Sequence, residues 1–303
     1  MNLYPVCPKG PIDMILDTDA YNEIDDQFAI SYALHASEKL HIRAFCAAPF
    51  FNSHSTGPDD GMERSYQEIL NLLKLAKRED MIPLTYRGST RYLPDEKTPV
   101  DSDAARKIVE IAQEYTAEKP LYVVPIGAIT NVASALLMAP EIAEKIVIVW
   151  LGGHAYHWPH SREFNLYQDV AAARVVFNSG APVVQLPCAG VVDHLTTTKY
   201  ELIHWLRGQN PLCDYLCDHT IEEAESYAKG KPWSRVIWDI STIAWLLDEE
   251  GKMMQSRPEH SPICQYDDHY SFDPCRPMNV AYVWRINRDA VFEDLFLRLR
   301  GEK

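Results

Sequence analysis

The stretch "ILDTDAYNEIDDQFA" (residues 15–29) decides the fold and raises the question of function. It opens on an apolar run typical of a buried strand and closes on apolar residues at helical spacing, so it predicts a strand followed by a helix. Between them lie five acidic residues, at positions 17, 19, 23, 25 and 26, and the stretch contains no Lys or Arg. Since like charges repel, so much negative charge at one bend of the chain needs an explanation.

The strand–helix alternation continues along the chain. Strands are predicted at 13–19, 40–48, 121–127, 146–153, 182–188 and 279–286, and helices at 24–37, 60–80, 102–118, 130–145, 169–180 and 288–301. This order predicts an α/β fold with a Rossmann-like, mostly parallel central sheet flanked by helices. Helical segments at 198–228 and 234–251 predict a helical C-terminal elaboration. No linker or repeat interrupts the chain, so we expect a single domain over residues 1–303.

Composition excludes several classes of partner. The formal net charge is −14 and the sequence pI about 5.2, so nucleic acid and anionic membranes would repel the chain. The longest apolar runs are too short to span a bilayer, and the N-terminal segment has no apolar signal region. Seven cysteines without a CxxC pair favour reduced thiols. We therefore expect a cytoplasmic protein.

The acidic bend follows the first strand, and open α/β sheets bind ligands at the carboxyl ends of their strands. Asp25 and Asp26 fall in the first turn of the predicted helix, where the helix dipole favours carboxylates. That effect does not account for Asp17 and Asp19, which precede the turn. Converging carboxylates predict a hard divalent cation such as Ca²⁺ or Mg²⁺, with a solvated acidic loop as the alternative.

Two families place aspartates at such a strand end. Phosphatases of the haloacid dehalogenase type carry DxDx[TV], which "DTDAY" (17–21) matches except at Tyr21. Nucleoside hydrolases carry DxDxGxDD, which residues 17–26 match with two additional residues between the acid pairs. Three further segments resemble nucleoside hydrolases in the family's order: "VVPIGAITNVASAL" (123–136), the block at 150–179 with "EFN" at 163–165, and "VIWDISTIAWLL" (236–247). The sequence thus resembles the inosine-uridine preferring nucleoside hydrolase family.

The resemblance implies a set of roles. A Ca²⁺ ion would be held by Asp19, Asp26, Asp239 and the backbone carbonyl of Ile126, and Asp19 would also be the catalytic base that activates water. The implied substrate-binding residues are Asp25, Asn52, His157, Glu163, Asn165 and Trp238. The implied reaction is Ca²⁺-dependent hydrolysis of the N-glycosidic bond of small-molecule ribonucleosides, releasing ribose and the base. Family members commonly form dimers or tetramers, so a homo-oligomer is expected.

The departures from the family pattern leave alternatives open. Trp238 stands where well-studied members carry a His that protonates the leaving base, which favours stacking on a purine or a non-standard base. The extended "AYNEI" segment (20–24) leaves open a non-catalytic protein that binds ribose or nucleosides. A phosphohydrolase with Asp17 as nucleophile is the third hypothesis. Glu163 could instead cap a helix, and Asn52 could be an ordinary loop residue.

Overall fold

The computed structural model describes residues 4–303, so residues 1–3 of the domain predicted over 1–303 lie outside it. Its first strand, β1 (Ile12–Thr18), is buried over its last five residues, and the first helix, α1 (Asp25–Leu34), is buried at all ten. The predicted order of strand, bend and helix is confirmed, and the acidic bend joins two buried elements.

Twelve strands occur in the described part of the chain. After β1 they are β2 (Leu40–Ala47), β3 (Thr85–Arg87), β4 (Leu121–Pro125), β5 (Ile146–Leu151), β6 (Val183–Leu186), β7 (Thr196–Thr197), β8 (Arg235–Val236), β9 (Met254–Glu259), β10 (Ile263–Cys264), β11 (Tyr270–Ser271) and β12 (Val280–Ile286). Eight form the main sheet in the order β3-β2-β1-β4-β5-β6-β12-β9. Among these eight strands, only β9 is antiparallel to its neighbour. The predicted Rossmann-like, mostly parallel sheet is confirmed.

Ten α-helices accompany the sheet within residues 4–303. After α1 they are α2 (Pro58–Leu75), α3 (Asp103–Ala112), α4 (Thr130–Met138), α5 (Phe164–Gln168), α6 (Val170–Asn178), α7 (Lys199–Trp205), α8 (Pro211–Ala228), α9 (Ile240–Leu247) and α10 (Arg288–Leu299). Short 3₁₀ turns occupy Glu79–Leu84, Pro140–Glu144 and Val192–His194. The helices cover both faces of the sheet: Met14 and Leu16 of β1 pack in one core cluster, and Ile15 between them packs in a second. A strand buried on both faces explains the continuous apolar runs in the sequence.

All eight helical segments predicted from the sequence are longer than the helices in the structure, and for three of them the cause is clear. The helix at 130–145 ends at Met138, because Pro140 lacks the N–H needed to continue it. The segment 198–228 divides into α7 and α8, with a positive φ of 80° at Gly208 between them. The segment 234–251 is helical only in α9, because β8 pairs with β7.

The C-terminal elaboration is helical at α7, α8 and α9, and the chain then returns to the main sheet. The late strand predicted at 279–286 is β12, which pairs with β6. The neighbouring β9 was not predicted, because "MQSRPE" has a charged and proline-containing sequence rather than an apolar one. Four of its six residues are exposed, as is usual for an edge strand that must resist further pairing.

None of the helices formed by residues 4–303 is long and apolar enough to cross a membrane. All seven cysteines lie in the described part of the chain and are free thiols. This agrees with the absence of a CxxC pair from the sequence.

A buried ion-pair network ties α10 to α1, the helix that begins at the acidic bend. Asp294 of α10 accepts a hydrogen bond from the Tyr32 hydroxyl of α1. It also accepts one from Arg298 Nε at 2.9 Å. Arg298 and Asp294 have side-chain exposures of 8% and 3%. Because both charged side chains are buried, removal of either one would leave the other without its compensating charge.

The Asp294→Ala variant should lower the free energy of unfolding by about 3 kcal/mol, because it leaves Arg298 with only the more exposed Glu38 as an anionic partner. Denaturant unfolding measures this change. The matched control is Glu250→Ala, which removes an ion pair with Lys252 whose side chains are 70% and 75% exposed and should leave the midpoint of unfolding almost unchanged. Equal effects of the two variants would contradict the role given to the network.

Candidate active site at the carboxyl edge of the sheet

A cleft of about 200 Å³ lies where the carboxyl ends of the central strands meet. It is lined by Asp19, Asn22, Glu23, Asp25, Asp26, Ile126, Leu151, His154, Glu163, Phe164, Asn165, Cys188, Trp238 and Asp239. These residues come from the loops after β1, β4, β5 and β6 and from the start of α9. Topology therefore collects at one edge residues that are more than 200 positions apart in the sequence.

Three carboxylates converge in the cleft. Asp25, Asp26 and Asp239 each place an oxygen so that all three oxygens lie within 4.8 Å of one another, and all three residues are buried. Asp25 and Asp26 occupy the first turn of α1, and Asp239 immediately precedes α9. The contact between α1 and α9 brings the two helix starts together.

Asp19 lies beside this group with no partner for its carboxylate. The residue is 1% exposed, and neither Oδ1 nor Oδ2 has a hydrogen-bond partner. The carboxylate lies against Gly127, where a Cβ atom would be 2.8 Å from Asp19 Oδ1. Only glycine leaves room for Asp19 here, so the turn after β4 and the bend after β1 shape one site together.

The carboxylates cannot all be ionised without compensation. Burial raises the pKa values of Asp19, Asp25 and Asp239 well above the ordinary range, and the negative charges of their neighbours raise them further. Burial also raises the pKa of Asp26 to about 7, although a hydrogen bond from the Thr18 hydroxyl opposes this shift. A cation among the oxygens would offset both effects and favour the ionised carboxylates.

A second layer of hydrogen bonds holds the bend. Thr18 Oγ1 donates to Asp26 Oδ1, and Asn131 Nδ2 donates to Asp17 Oδ1 at 2.7 Å. Asp17 is fully buried and does not line the cleft. It therefore orients the strand end, as expected if it supports the site from behind.

Ile126, whose carbonyl was predicted as a metal ligand, lines the cleft together with Asn165. Asn165 Nδ2 donates to Ile126 O and to Leu151 O, each at 3.1 Å. A carbonyl oxygen has two lone pairs, so Ile126 can accept this bond and still coordinate a cation. With both amide hydrogens used, Asn165 offers only its Oδ1 to a ligand.

Glu163 lines the cleft and also caps a helix, which was the alternative considered from the sequence. It accepts from the N–H groups of Gly153, Asn165 and Leu166 at 2.8, 2.9 and 3.0 Å. These bonds fix the "EFN" turn at the start of α5. Although burial raises the pKa of Glu163, the three N–H groups favour its ionised form.

The extended segment 20–24 does not separate the two acid pairs. Ala20 and Ile24 are buried in the core, and Asn22 N donates to Asp19 O at 2.7 Å to close a tight turn. Glu23 reaches Arg235 at 3.0 Å. The additional length is thus accommodated as a packed turn, with Asp19 and the start of α1 facing the same cleft.

Two predicted substrate-binding residues lie outside the cleft wall. Asn52 donates from Nδ2 to Asn22 Oδ1 at 2.6 Å, so it supports Asn22, which itself lines the cleft. His157 lines a separate cavity with Tyr282. The turn closed by Trp158 N and the Ala155 carbonyl directs the chain away from the cleft at this point.

His154 takes the cleft position that the sequence analysis gave to His157. It follows Gly153, whose φ of 74° is available chiefly to glycine and reverses the chain at the end of β5. Cys188 was also missed, although it closes a predicted strand and so stands at the ligand-binding edge. Both residues lie at or next to the end of a predicted strand, and this position could have identified them as residues of the ligand-binding edge.

Trp238 is half-buried, lines the cleft and packs partly against the core. It precedes Asp239 directly, and both residues line the cleft. The arrangement offers an aromatic surface for a flat ring and a cluster of oxygen donors for hydroxyl groups.

The donor chemistry fits a hard divalent cation. The ligand atoms are all oxygens, from three converging carboxylates and a backbone carbonyl, and two Asp19 oxygens nearby lack partners. Carboxylate and carbonyl oxygens suit Ca²⁺ or Mg²⁺, whereas softer metals prefer sulfur and nitrogen. The sequence analysis predicted Asp19, and not Asp25, as a metal ligand. In the structure Asp25 belongs to the three converging carboxylates, and Asp19 lines the same cleft.

Comparisons with known proteins agree with this geometry. The sequence profile of the family described as inosine-uridine preferring nucleoside hydrolase matches residues 14–293. The chain is 30% identical to the pyrimidine-specific ribonucleoside hydrolase RihA of Escherichia coli O1:K1 / APEC, with 79% of this chain and 80% of the relative covered.

Solved structures show the same fold. The plant nucleoside hydrolase PpNRh1 superposes with a TM-score of 0.76 at 22% identity, covering 96% of this chain and 99% of the other. The purine-preferring ribonucleoside hydrolase from Gardnerella vaginalis gives a TM-score of 0.75 at 21% identity, covering 96% and 98%. With its profile match, its relatives and its sheet, the chain belongs to the inosine-uridine preferring nucleoside hydrolase family and is an enzyme that acts on N-glycosidic bonds.

Proposed function

We propose that the chain catalyses Ca²⁺-dependent hydrolysis of the N-glycosidic bond of ribonucleosides, releasing ribose and a free base. The observation that carries this proposal is the group of buried carboxylates, Asp25, Asp26 and Asp239, with the unpartnered Asp19 beside it. A ribose diol can complete the coordination of a cation held there.

We propose calcium rather than magnesium because a higher coordination number can take the protein oxygens, water and the diol together. Ca²⁺ accepts six to eight oxygens in flexible geometry, whereas Mg²⁺ requires a near-ideal octahedron. Four ligands from the protein, namely Asp19 or Asp25, Asp26, Asp239 and the Ile126 carbonyl, leave places for water and the substrate diol. When bound, the ion would lower the pKa of water and fix the sugar hydroxyls.

Asp19 is proposed as the general base. Its carboxylate is buried and free of hydrogen bonds, so it is available to accept a proton from a water molecule in the cleft. Asp25 is proposed to accept a hydrogen bond from one ribose hydroxyl, and Asn165 Oδ1 to accept a hydrogen bond from another. The transition state carries positive charge on the sugar ring, which surrounding carboxylates stabilise.

We propose that Trp238 stacks on the leaving base and favours purines or non-standard bases. Its position in the cleft wall supports this role. The names of the relatives divide on this point, since one is called pyrimidine-specific and another purine-preferring. Base preference is therefore the property of this site that most needs measurement.

The phosphohydrolase hypothesis finds no support. Its nucleophile would be Asp17, but Asp17 is fully buried behind the cleft wall and bonded to Asn131. No phosphate could reach its carboxylate without rearrangement of β1. The hypothesis of a non-catalytic nucleoside-binding protein is tested by the Asp19 variant described below.

The Asp19→Asn variant should lower kcat for ribose release by about 10²-fold or more, because the amide keeps the packing against Gly127 but cannot accept the proton. Ribose release from several ribonucleosides measures the change. His157→Ala is the control and should retain nearly full activity, since His157 faces another cavity. An Asp19→Asn enzyme within threefold of wild type would contradict the assignment of the base, and absence of turnover in the wild type would favour the binding protein.

Calcium should stabilise the metal-free protein, by about 2.7 kcal/mol at 100 times its Kd. The Asp239→Asn variant should melt at a higher temperature than wild type without metal, because repulsion among buried carboxylates is relieved, and should lose the stabilisation by calcium. Thermal unfolding with chelator and with Ca²⁺ measures both effects. Asp267→Asn, whose side chain is 78% exposed, is the control. A wild-type melting temperature that does not respond to calcium would contradict the proposal.

The Trp238→Ala variant should lower kcat/KM for guanosine by about 5- to 100-fold, because base–aromatic stacking contributes about 1–3 kcal/mol per base. The loss should be smaller for uridine, whose single ring offers less stacking area. Trp284→Ala, at a tryptophan 44% exposed and outside the cleft, should leave both substrates unchanged. Equal losses for guanosine and uridine would contradict purine stacking.

A further inference from the structure

A second cavity of about 460 Å³, which we call the side chamber, opens beside the cleft and shares Asn22 and Glu23 with it. Its other walls come from the loop between β2 and α2, from α2 and from α8. At about 200 Å³, the cleft alone is smaller than the pockets of about 300–1,000 Å³ that usually hold small molecules. The side chamber enlarges it into that range.

The extended bend at 20–24 and the loop after β2 are bonded to each other in the wall between the two cavities. His54 Nδ1 donates to Asn22 O at 2.7 Å, and Asn52 Nδ2 donates to Asn22 Oδ1 at 2.6 Å. The Arg64 guanidinium lies 5.5 Å from the centre of the Tyr21 ring. These contacts fix the packed turn, so the same segment shapes the cleft and the side chamber.

The side chamber borders the cleft through this bend and not through the metal-binding oxygens. None of Asp25, Asp26 and Asp239 lines it. Glu23, which lines both cavities, contacts Arg235 at 3.0 Å, and Arg235 lies three residues before Trp238. With the ribose diol on the cation and the base against Trp238, as proposed, a substituent on the base is the part of the substrate that extends into the side chamber.

Most charged groups of the side chamber are already engaged in ion pairs. Arg235 contacts Glu23 and Glu223 at 3.0 and 3.2 Å, and Arg64 is paired within α2 at 2.8 Å. Glu222, which is exposed on α8, is the one lining carboxylate without an ion pair among residues 4–303. A cationic ligand would have to compete with Arg235, and an anionic ligand would meet the glutamates. The side chamber therefore suits a neutral group.

Three groups of the wall retain the capacity for hydrogen bonds. Asn22 is 8% exposed, and its Nδ2 has no acceptor among residues 4–303. Because His54 Nδ1 donates to a carbonyl, Nε2 of the neutral ring can accept. Burial lowers the pKa of His219, so its neutral ring offers one donor and one acceptor nitrogen. A hydroxyl or an amide, which can both donate and accept, complements this set.

From these observations we infer that the enzyme accepts ribonucleosides whose base carries a neutral substituent with a hydroxyl or amide group, and that this substituent binds in the side chamber. The inference rests on the proposed N-glycosidic hydrolysis and names a class of substrate for it. Asn22, His54 and His219 supply hydrogen bonds to the part of the substrate that leaves with the base. Because these bonds form away from the bond that breaks, they should act mainly on KM.

The test measures kcat/KM for two pairs of adenosine derivatives with the calcium-loaded enzyme. In each pair an amino nitrogen, at C6 in one pair and at C2 in the other, carries either a butyl chain or a 3-hydroxypropyl chain of the same length. In at least one pair the hydroxylated compound should be preferred by about threefold or more, the effect of one neutral hydrogen bond. Failure of the hydroxylated compound to exceed its partner in either pair would overturn the inference.

The His219→Phe variant keeps a ring that can stack on Tyr215, at 5.4 Å between centroids, and removes both nitrogens. It should reduce the preference for the hydroxylated compound to about twofold or less and leave cleavage of adenosine unchanged. His204→Phe makes the same change at an exposed imidazole outside both cavities and should keep the preference. An unchanged preference in His219→Phe, or equal losses for all substrates, would overturn the inference.

Unsubstituted ribonucleosides separate this inference from the proposed function. Release of ribose from adenosine, guanosine or uridine without release from either hydroxylated derivative would overturn the inference and leave the proposed hydrolysis intact. Release of ribose from none of these compounds would instead overturn the proposed function, and the inference with it.

Discussion

The central constraint on the structure is electrostatic repulsion among buried carboxylates, which the protein alone does not relieve. Asp25, Asp26 and Asp239 bring oxygens within 4.8 Å of one another inside a buried cleft, and Asp19 adds two oxygens without partners. Ionised carboxylates at such distances are strongly unfavourable in a low-dielectric interior. The rest of the fold holds them together. β1 and α1 are buried, Thr18 and Asn131 fix the strand end, and Gly127 leaves the space that Asp19 fills. Such an arrangement is stable with its charges present only when a cation binds among them.

The negative charge of the cleft also bears on the proposed substrate. Positive charge that develops on the sugar in the proposed reaction would lie among these carboxylates. The contact of Glu23 with Arg235 links the acidic bend to the chain that leads into Trp238 and Asp239. The extended segment between the acid pairs thus connects the two parts of the chain that supply the carboxylates.

The local sequence pattern predicted the strands and helices whose ends the sheet topology brings together. The apolar runs and the acids that follow them located β1, α1 and their bend, and the carboxyl edge of a parallel sheet is where strand ends must meet. Asp19, Asp26, Ile126 and Asp239 face one cleft for this reason. The family resemblance supplied Asp239, which lies more than 200 residues away and which periodicity alone could not have joined to the bend.

Loop residues were predicted less well, because their directions depend on turns that are formed by tertiary contacts. The turn at Gly153 points His154 into the cleft, and the next turn carries His157 out of it. Asn52 was predicted to touch the substrate, but it is bonded to Asn22, a residue of the extended bend whose packing no local pattern indicated.

The most direct test of the central claim is a crystal structure of the protein grown in calcium with ribose. The account predicts a single strong density peak coordinated by Asp26, Asp239, the Ile126 carbonyl and Asp19 or Asp25, at about 2.3–2.6 Å, with two ribose hydroxyls completing the shell. A structure in which these oxygens diverge, with no density between them, would contradict it.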